Sequence, residues 1–125
     1  MGQIVGIGVD ICQVGRMSAA LERRPGLAKK LFTAKEIVDA DNQLLSAESL
    51  AARFAAKEAL VKAMGAPSGL RWHDCQVLKD ASGKIFLELS GTVAQAAERL
   101  GVLKTHVSIS HDGGLAVAQV VCEGE

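Results

Sequence analysis

At 125 residues the chain is long enough for one domain with a genuine core and too short for two comfortable ones, so residues 1–125 are read as a single domain. Its 14 basic and 14 acidic residues cancel, which removes the overall charge that non-specific binding to nucleic acid or to an anionic membrane would use. Apolar residues make up 49% but aromatics only 3%, so the core must be built from Ala, Val, Leu and Ile, which each bury less area than a ring; such a core invites help from neighbouring subunits.

In chain order, Ile4 to Ile11 alternates as a strand, with Val5, Ile7, Val9 and Ile11 on one face and Gly6, Gly8 and Asp10 on a nearly bare one. Met17 to Arg24 predicts a short helix stopped by Pro25-Gly26, with a further turn to Phe32. Thr33 with Glu36 three residues on has the spacing of a capping box and predicts another short helix. Ser46 or Ser49 caps the longest helix, rich in Ala and ending near Gly65. Trp72 to Lys79 and Lys84 to Leu89 flank a turn as a β-hairpin, Thr92 to Leu100 is an amphipathic helix closed by Gly101, and Thr105 to Ser110 with Leu115 to Val121 form a second hairpin. Without regular βαβ alternation, the class expected is α+β with mainly antiparallel pairing.

Cys12, Cys75 and Cys122 are far apart and odd in number, so they predict neither a zinc site nor a disulfide framework but small buried thiols in a reducing compartment. The first residues lack a basic stretch, and their apolar run is broken by Gly6, Gly8 and Asp10; no signal peptide or membrane span is expected, and a cytoplasmic location follows.

Three places carry possible chemistry. In Gly6-Ile7-Gly8-Val9-Asp10, two glycines leave the backbone open to a close neighbour, and an acid follows on the same face. Ile11 stands where a dinucleotide fingerprint needs its third glycine, so that reading fails; on the strand alone, a helix crossing the glycines is the better account. In Arg53 to Ala63, Glu58 lies four residues from both Phe54 and Lys62, beside the packed stripe, where a carboxylate needs a cation or a metal. Taken singly, an ordinary Glu58–Lys62 ion pair would suffice, but the short Ala55, Ala56, Ala59 and Ala63 let something pack closely around the acid. In the third, His106, Ser108 and Ser110 give a polar strand face, with His111 and Asp112 at the strand's end. His106 reads as a satisfied structural histidine, while for His111 a phosphate contact and a turn role weigh about equally.

Together these segments resemble one family. Gly6-x-Gly8-x-Asp10-Ile11, Phe54-x-x-Lys57-Glu58-Ala59-x-x-Lys62-Ala63 and Ser108-x-Ser110-His111 are similar to the signatures of the short, bacterial-type holo-acyl-carrier-protein synthases, from first strand to last and at the family's length. The resemblance implies a phosphopantetheinyl transferase fold and the transfer of the 4′-phosphopantetheine arm of coenzyme A to a serine of an acyl carrier protein, or of a carrier domain of a fatty-acid synthase, releasing 3′,5′-ADP. It implies magnesium on Asp10 and Glu58, and a homotrimer with its sites between subunits. Asp112 departs from the neutral residue that several relatives carry there, and a water-mediated metal contact is the role open to it.

The residue types suit that chemistry. Magnesium takes few carboxylates and is completed by waters and substrate phosphates, so two acids are sufficient. Glu58 and Lys62 are the expected catalytic pair, Lys62 holding a phosphate oxygen; Arg53, Lys57 and His111 are candidates for other coenzyme A phosphates. The serine proton has two candidate acceptors, Glu58 and a water held by the cation. Between Arg16 and Lys35 six basic residues face the single acid Glu22, and acidic carriers would be steered by such a patch; Arg16 and Arg24 are the expected contacts, with helix periodicity turning Arg23 away from Arg16. The rival reading is a non-catalytic oligomeric nucleotide-binding module that uses the same basic groups without transfer.

Overall fold

The computed structural model describes residues 2–125 and places the elements in the order β1 (Gln3–Gln13), α1 (Val14–Arg23), α2 (Leu27–Leu31), α3 (Ala47–Ala63), a 3₁₀ turn (Trp72–Asp74), β2 (Cys75–Lys79), β3 (Ile85–Leu89), α4 (Gly91–Leu100), β4 (Lys104–Asp112) and β5 (Leu115–Gly124). The class is α+β. The last hairpin, β4–β5, joins the first strand in a three-stranded antiparallel sheet of order β1-β5-β4, while β2 and β3 pair with each other alone.

Helix α3 is the centre of the molecule. Ser46 caps it by accepting a hydrogen bond from the Ser49 N–H, and its C-terminal turn is closed by the Met64 N–H on the Leu60 carbonyl, with Gly65 following at φ 77°. Alanines 51, 52, 55, 56, 59 and 63 are all buried, so the helix is covered on most of its circumference and lets its neighbours approach its backbone. On one side lies β5, whose alternate residues Ala116, Ala118, Val120 and Cys122 point inward and are almost fully buried. On the other sides lie β2, through Cys75 and Val77, and α4, through Val93 and Ala96.

Strand β1 packs by its bare face. Gly6 and Gly8 lie directly on the α3 backbone: a Cβ built on Gly6 would collide with the Ala63 carbonyl oxygen, and one on Gly8 with the Ala59 carbonyl oxygen while coming within 2.6 Å of Ala63 N. The glycines are therefore the price of helix and strand touching backbone to backbone, and the crossing-helix account of them holds. Gly8→Ala is expected to cost about 1–3 kcal/mol as an overpacking defect, read from the midpoint of urea unfolding. A cost near zero would mean that α3 slides away freely.

The opposite face of β1 is exposed although it is apolar: Ile7 is 59% and Ile11 62% accessible, with Ile4 and Val9 similarly open. An antiparallel sheet that turned this face to water would ordinarily be polar there.

Local expectations differ from the structure in two places: Trp72–Asp74, expected at the head of a strand, forms a 3₁₀ turn, and the helix expected after Thr33 is absent. Thr33 and Glu36 do meet as a capping pair, the Glu36 Oε1 accepting from the Thr33 N–H at 2.9 Å, but no helix follows. The chain turns back instead, because the Glu36 carboxylate is drawn inward. Its Oε1 also accepts from Lys57 Nζ at 2.8 Å and its Oε2 from the Val77 N–H at 3.0 Å.

Candidate active site

Asp10, Glu58 and Lys62 converge where β1 leaves the α3 backbone. The glycine contact sets the spacing between strand and helix, so the first side chain on that face beyond Gly8, Asp10, meets the α3 side chains that flank Ala59. Lys62 Nζ lies 2.8 Å from Asp10 Oδ1 and 3.3 Å from the Val9 carbonyl oxygen. Glu58 stands one turn before Lys62 on the same face. Burial raises the Glu58 carboxyl above its ordinary value, the Asp10 charge raises it further, and Lys62 pulls it back. The same two acids, after burial, hold the Cys12 thiol up, so Cys12, two residues beyond Asp10 on the bare face, also borders the cluster.

The folded chain therefore holds the Glu58 proton more tightly than the unfolded chain does. That contribution is complete below the ordinary carboxyl value of 4.5 and is lost as pH rises through the raised folded value. Glu58→Gln, neutral throughout, is expected to be more stable than the parent at neutral pH, by no more than about 0.5 kcal/mol for a partly solvated group. The advantage should vanish in acid. Thermal unfolding at neutral and acid pH checks this, and a destabilised Gln variant at neutral pH would contradict it.

Two expected phosphate contacts are corrected. Lys57 is 1% exposed, and its ammonium donates to the Leu31 carbonyl at 2.8 Å, to Glu36 Oε1 at 2.8 Å and to the Trp72 carbonyl at 2.9 Å. All three donors are used, and the group also sits 5.2 Å from the centre of the Phe32 ring. It is a structural cation. Arg53 is buried as well, with a guanidinium N–H given to the Val77 carbonyl. Five residues of helix turn it about 140° from Glu58, towards a cleft shared with Lys35, Asp39 and Lys79.

The remaining residues stand apart within one chain. His111 Nδ1 lies 3.3 Å from Glu48 Oε2, at the other end of α3, and ten residues of helix separate Glu48 from Glu58 by about 15 Å. Asp112 ends β4 opposite Leu115, exposed and away from the cluster. His106 is satisfied by Glu123 at 2.8 Å, the structural role expected of it. Arg16 and Arg23 lie on α1 and Arg24 caps it, all three exposed, on the helix that directly follows the strand bearing Asp10. A mainly apolar cleft of about 200 Å³, lined by Lys57, Val61, Pro67, Leu70, Trp72 and Val93, includes none of Asp10, Glu58 and Lys62.

Two carboxylates and an ammonium thus meet at one edge of the fold, and oxygen donors are the ones a hard cation prefers. Among the described residues no three of His, Cys, Asp and Glu gather as a metal-binding group. The model of the 4′-phosphopantetheinyl transferase superfamily matches residues 6–120, a span that takes in all three groups. The chain belongs to that superfamily.

Relatives within the superfamily sharpen the placement. The holo-[acyl-carrier-protein] synthase of Salinispora arenicola is 52% identical over 120 residues, covering 96% of this chain and 98% of the relative. That of Cutibacterium acnes is 51% identical over 121 residues, with 97% and 99% covered. Among solved structures, the acyl carrier protein synthase of Plasmodium yoelii with ADP bound superposes with a TM-score of 0.89 at 31% identity, covering 100% of this chain and 98% of that one. The coenzyme A complex of the Chronobacterium ammoniagenes synthase superposes at 0.81 and 28% identity, covering 96% and 97%. The phosphopantetheinyl transferase fold is thus borne out along the chain. As for membranes, no helix among the described residues is long and apolar enough to cross one.

Proposed function

We propose that this chain is a holo-acyl-carrier-protein synthase, which moves the 4′-phosphopantetheine arm of coenzyme A to a serine of an apo carrier protein. The observation that carries the reading is the convergence of Asp10, Glu58 and Lys62 within a chain about half identical to named synthases over nearly its whole length. Two carboxylate ligands leave positions for waters and substrate phosphates, a donor set that fits magnesium, and Asp10 with Glu58 would hold it. When bound, magnesium neutralises charge on the pyrophosphate of coenzyme A.

The chain's own groups do the rest. Lys62, exposed and one turn beyond Glu58, donates to a phosphate oxygen of the same pyrophosphate. The carrier serine oxygen attacks the phosphorus bearing the pantetheine arm, the phosphorus–oxygen bond to the nucleotide breaks, and 3′,5′-ADP leaves with the electron pair. The serine proton passes to Glu58 or to a water at the site. Arg16 and Arg24 face solvent on the helix that follows the strand bearing Asp10, and they draw in the acidic carrier.

The exposed apolar face of β1 supports assembly of chains into a homotrimer, in which His111, distant from the cluster of its own chain, completes a neighbour's site at the coenzyme A phosphates. Asp112, beside it, would then approach the neighbour's cation through water. Sedimentation is expected to show a trimer; an active monomer would remove both the assembly and the shared site. Cytoplasmic residence is part of the same reading.

The function is tested by incubating unmodified carrier protein with this chain, coenzyme A and magnesium, and weighing the carrier by mass spectrometry. A phosphopantetheine adduct on serine is expected. An unmodified carrier with coenzyme A still bound to the chain would favour the non-catalytic binding module. The Arg16→Glu, Arg24→Glu double variant should raise the carrier KM and flatten its salt dependence without touching coenzyme A binding.

A further inference from the structure

The two lysines of α3 are held in opposite ways. Lys57 has all three donors engaged and is 1% exposed, whereas Lys62 is 54% exposed and makes its two bonds at the rim, to Asp10 Oδ1 and the Val9 carbonyl oxygen. Its flexible four-carbon stem lies in solvent, so the ammonium is free to swing without disturbing the core. Yet the oxygen it occupies belongs to one of the two carboxylates that would hold the divalent cation. An ammonium at hydrogen-bond distance from that oxygen and a divalent ion on it repel each other, and only one of the two can have the oxygen to itself.

We propose that Lys62 competes with the divalent cation for Asp10 and, once displaced, becomes the donor to the coenzyme A phosphates, so that metal and nucleotide binding are coupled through this one side chain. The inference rests on the active-site reading above and adds a direction to it. Lys62 opposes the metal when the metal comes alone and favours it when phosphate is present to receive the ammonium. By linkage, the nucleotide then tightens the metal by the same factor as the metal tightens the nucleotide.

The test measures manganese ion binding to the full chain by the electron paramagnetic resonance of the free ion, without turnover, for the parent, Lys62→Met and Asp10→Asn, each with and without 3′,5′-ADP. Lys62 touches no buried group, so its variant is expected to fold. Lys62→Met should bind manganese alone roughly 3- to 10-fold more tightly than the parent, the range set by charge repulsion at this distance with salt screening. Adding 3′,5′-ADP should tighten manganese in the parent by a larger factor than in Lys62→Met. Should Lys62→Met bind manganese no better than the parent while Asp10→Asn loses it, Lys62 is no competitor and the proposal falls. If Asp10→Asn keeps the parent's affinity, the assignment of Asp10 as a ligand falls with it, which marks a failure of the underlying reading and not of the competition alone.

Discussion

Glu36→Leu is expected to destabilise the chain by about 3–5 kcal/mol, the usual cost of leaving one partner of a buried ion pair uncompensated. Against the 5–15 kcal/mol that typically holds a domain together, such a loss approaches unfolding. The reason is the completeness of the node. Lys57 and Glu36 are 1% and 0% exposed, and between them they bind the Leu31 and Trp72 carbonyls and the Thr33 and Val77 N–H groups. The turn after α2, the 3₁₀ turn, β2 and α3 are thus gathered on one charge pair. Lys57→Met should be similarly damaging. The double variant, which removes both charges, should recover part of the loss but not all, because two backbone N–H groups and two carbonyls still lose their partners. Urea unfolding of the three proteins decides the matter, and single variants within about 1 kcal/mol of the parent would show that water reaches the pair.

The same node explains what the sequence could not tell. The strands, both hairpins and the three longer helices follow from alternation, capping and turn residues, and they lie within a few residues of where the pattern puts them. Helix α3 is different. Alanine appears on every side of it, so no polar stripe opposes an apolar one, and periodicity says which residues share a face but not which face is inside. Glu58 and Lys62 were legible as neighbours, since a spacing of four is a local property. That Arg53 and Lys57 point into the core was not, because the groups that accept their hydrogen bonds, Leu31, Trp72, Val77 and Glu36, lie 15 to 26 residues away. Glu36 was misplaced for the same reason, its local capping role being real but secondary to a partner 21 residues on. Cys12 has a local signal, since it shares the bare face of β1 with Asp10.

Asp10 and Glu58, by contrast, should matter little for folding and greatly for transfer. Asp10→Ala or Glu58→Ala is expected to lower kcat/KM by roughly 10²- to 10³-fold, the worth of several kcal/mol of charge stabilisation on the departing 5′-phosphate of 3′,5′-ADP. Neither side chain is in the core, and neither anchors a turn, so circular dichroism and the unfolding midpoint should stay close to the parent's. The two variants should nonetheless differ. Asp10→Ala also deprives Lys62 of its side-chain partner, whereas Glu58→Ala leaves that pair in place. Raising magnesium should therefore recover more activity in one single variant than in the other, since each retains a different carboxylate. Near-parental turnover of both at limiting magnesium would mean that the cation is held elsewhere. A loss matched by unfolding would mean that the cluster is structural, and a loss with the fold intact leaves the chemistry at the meeting of β1 and α3.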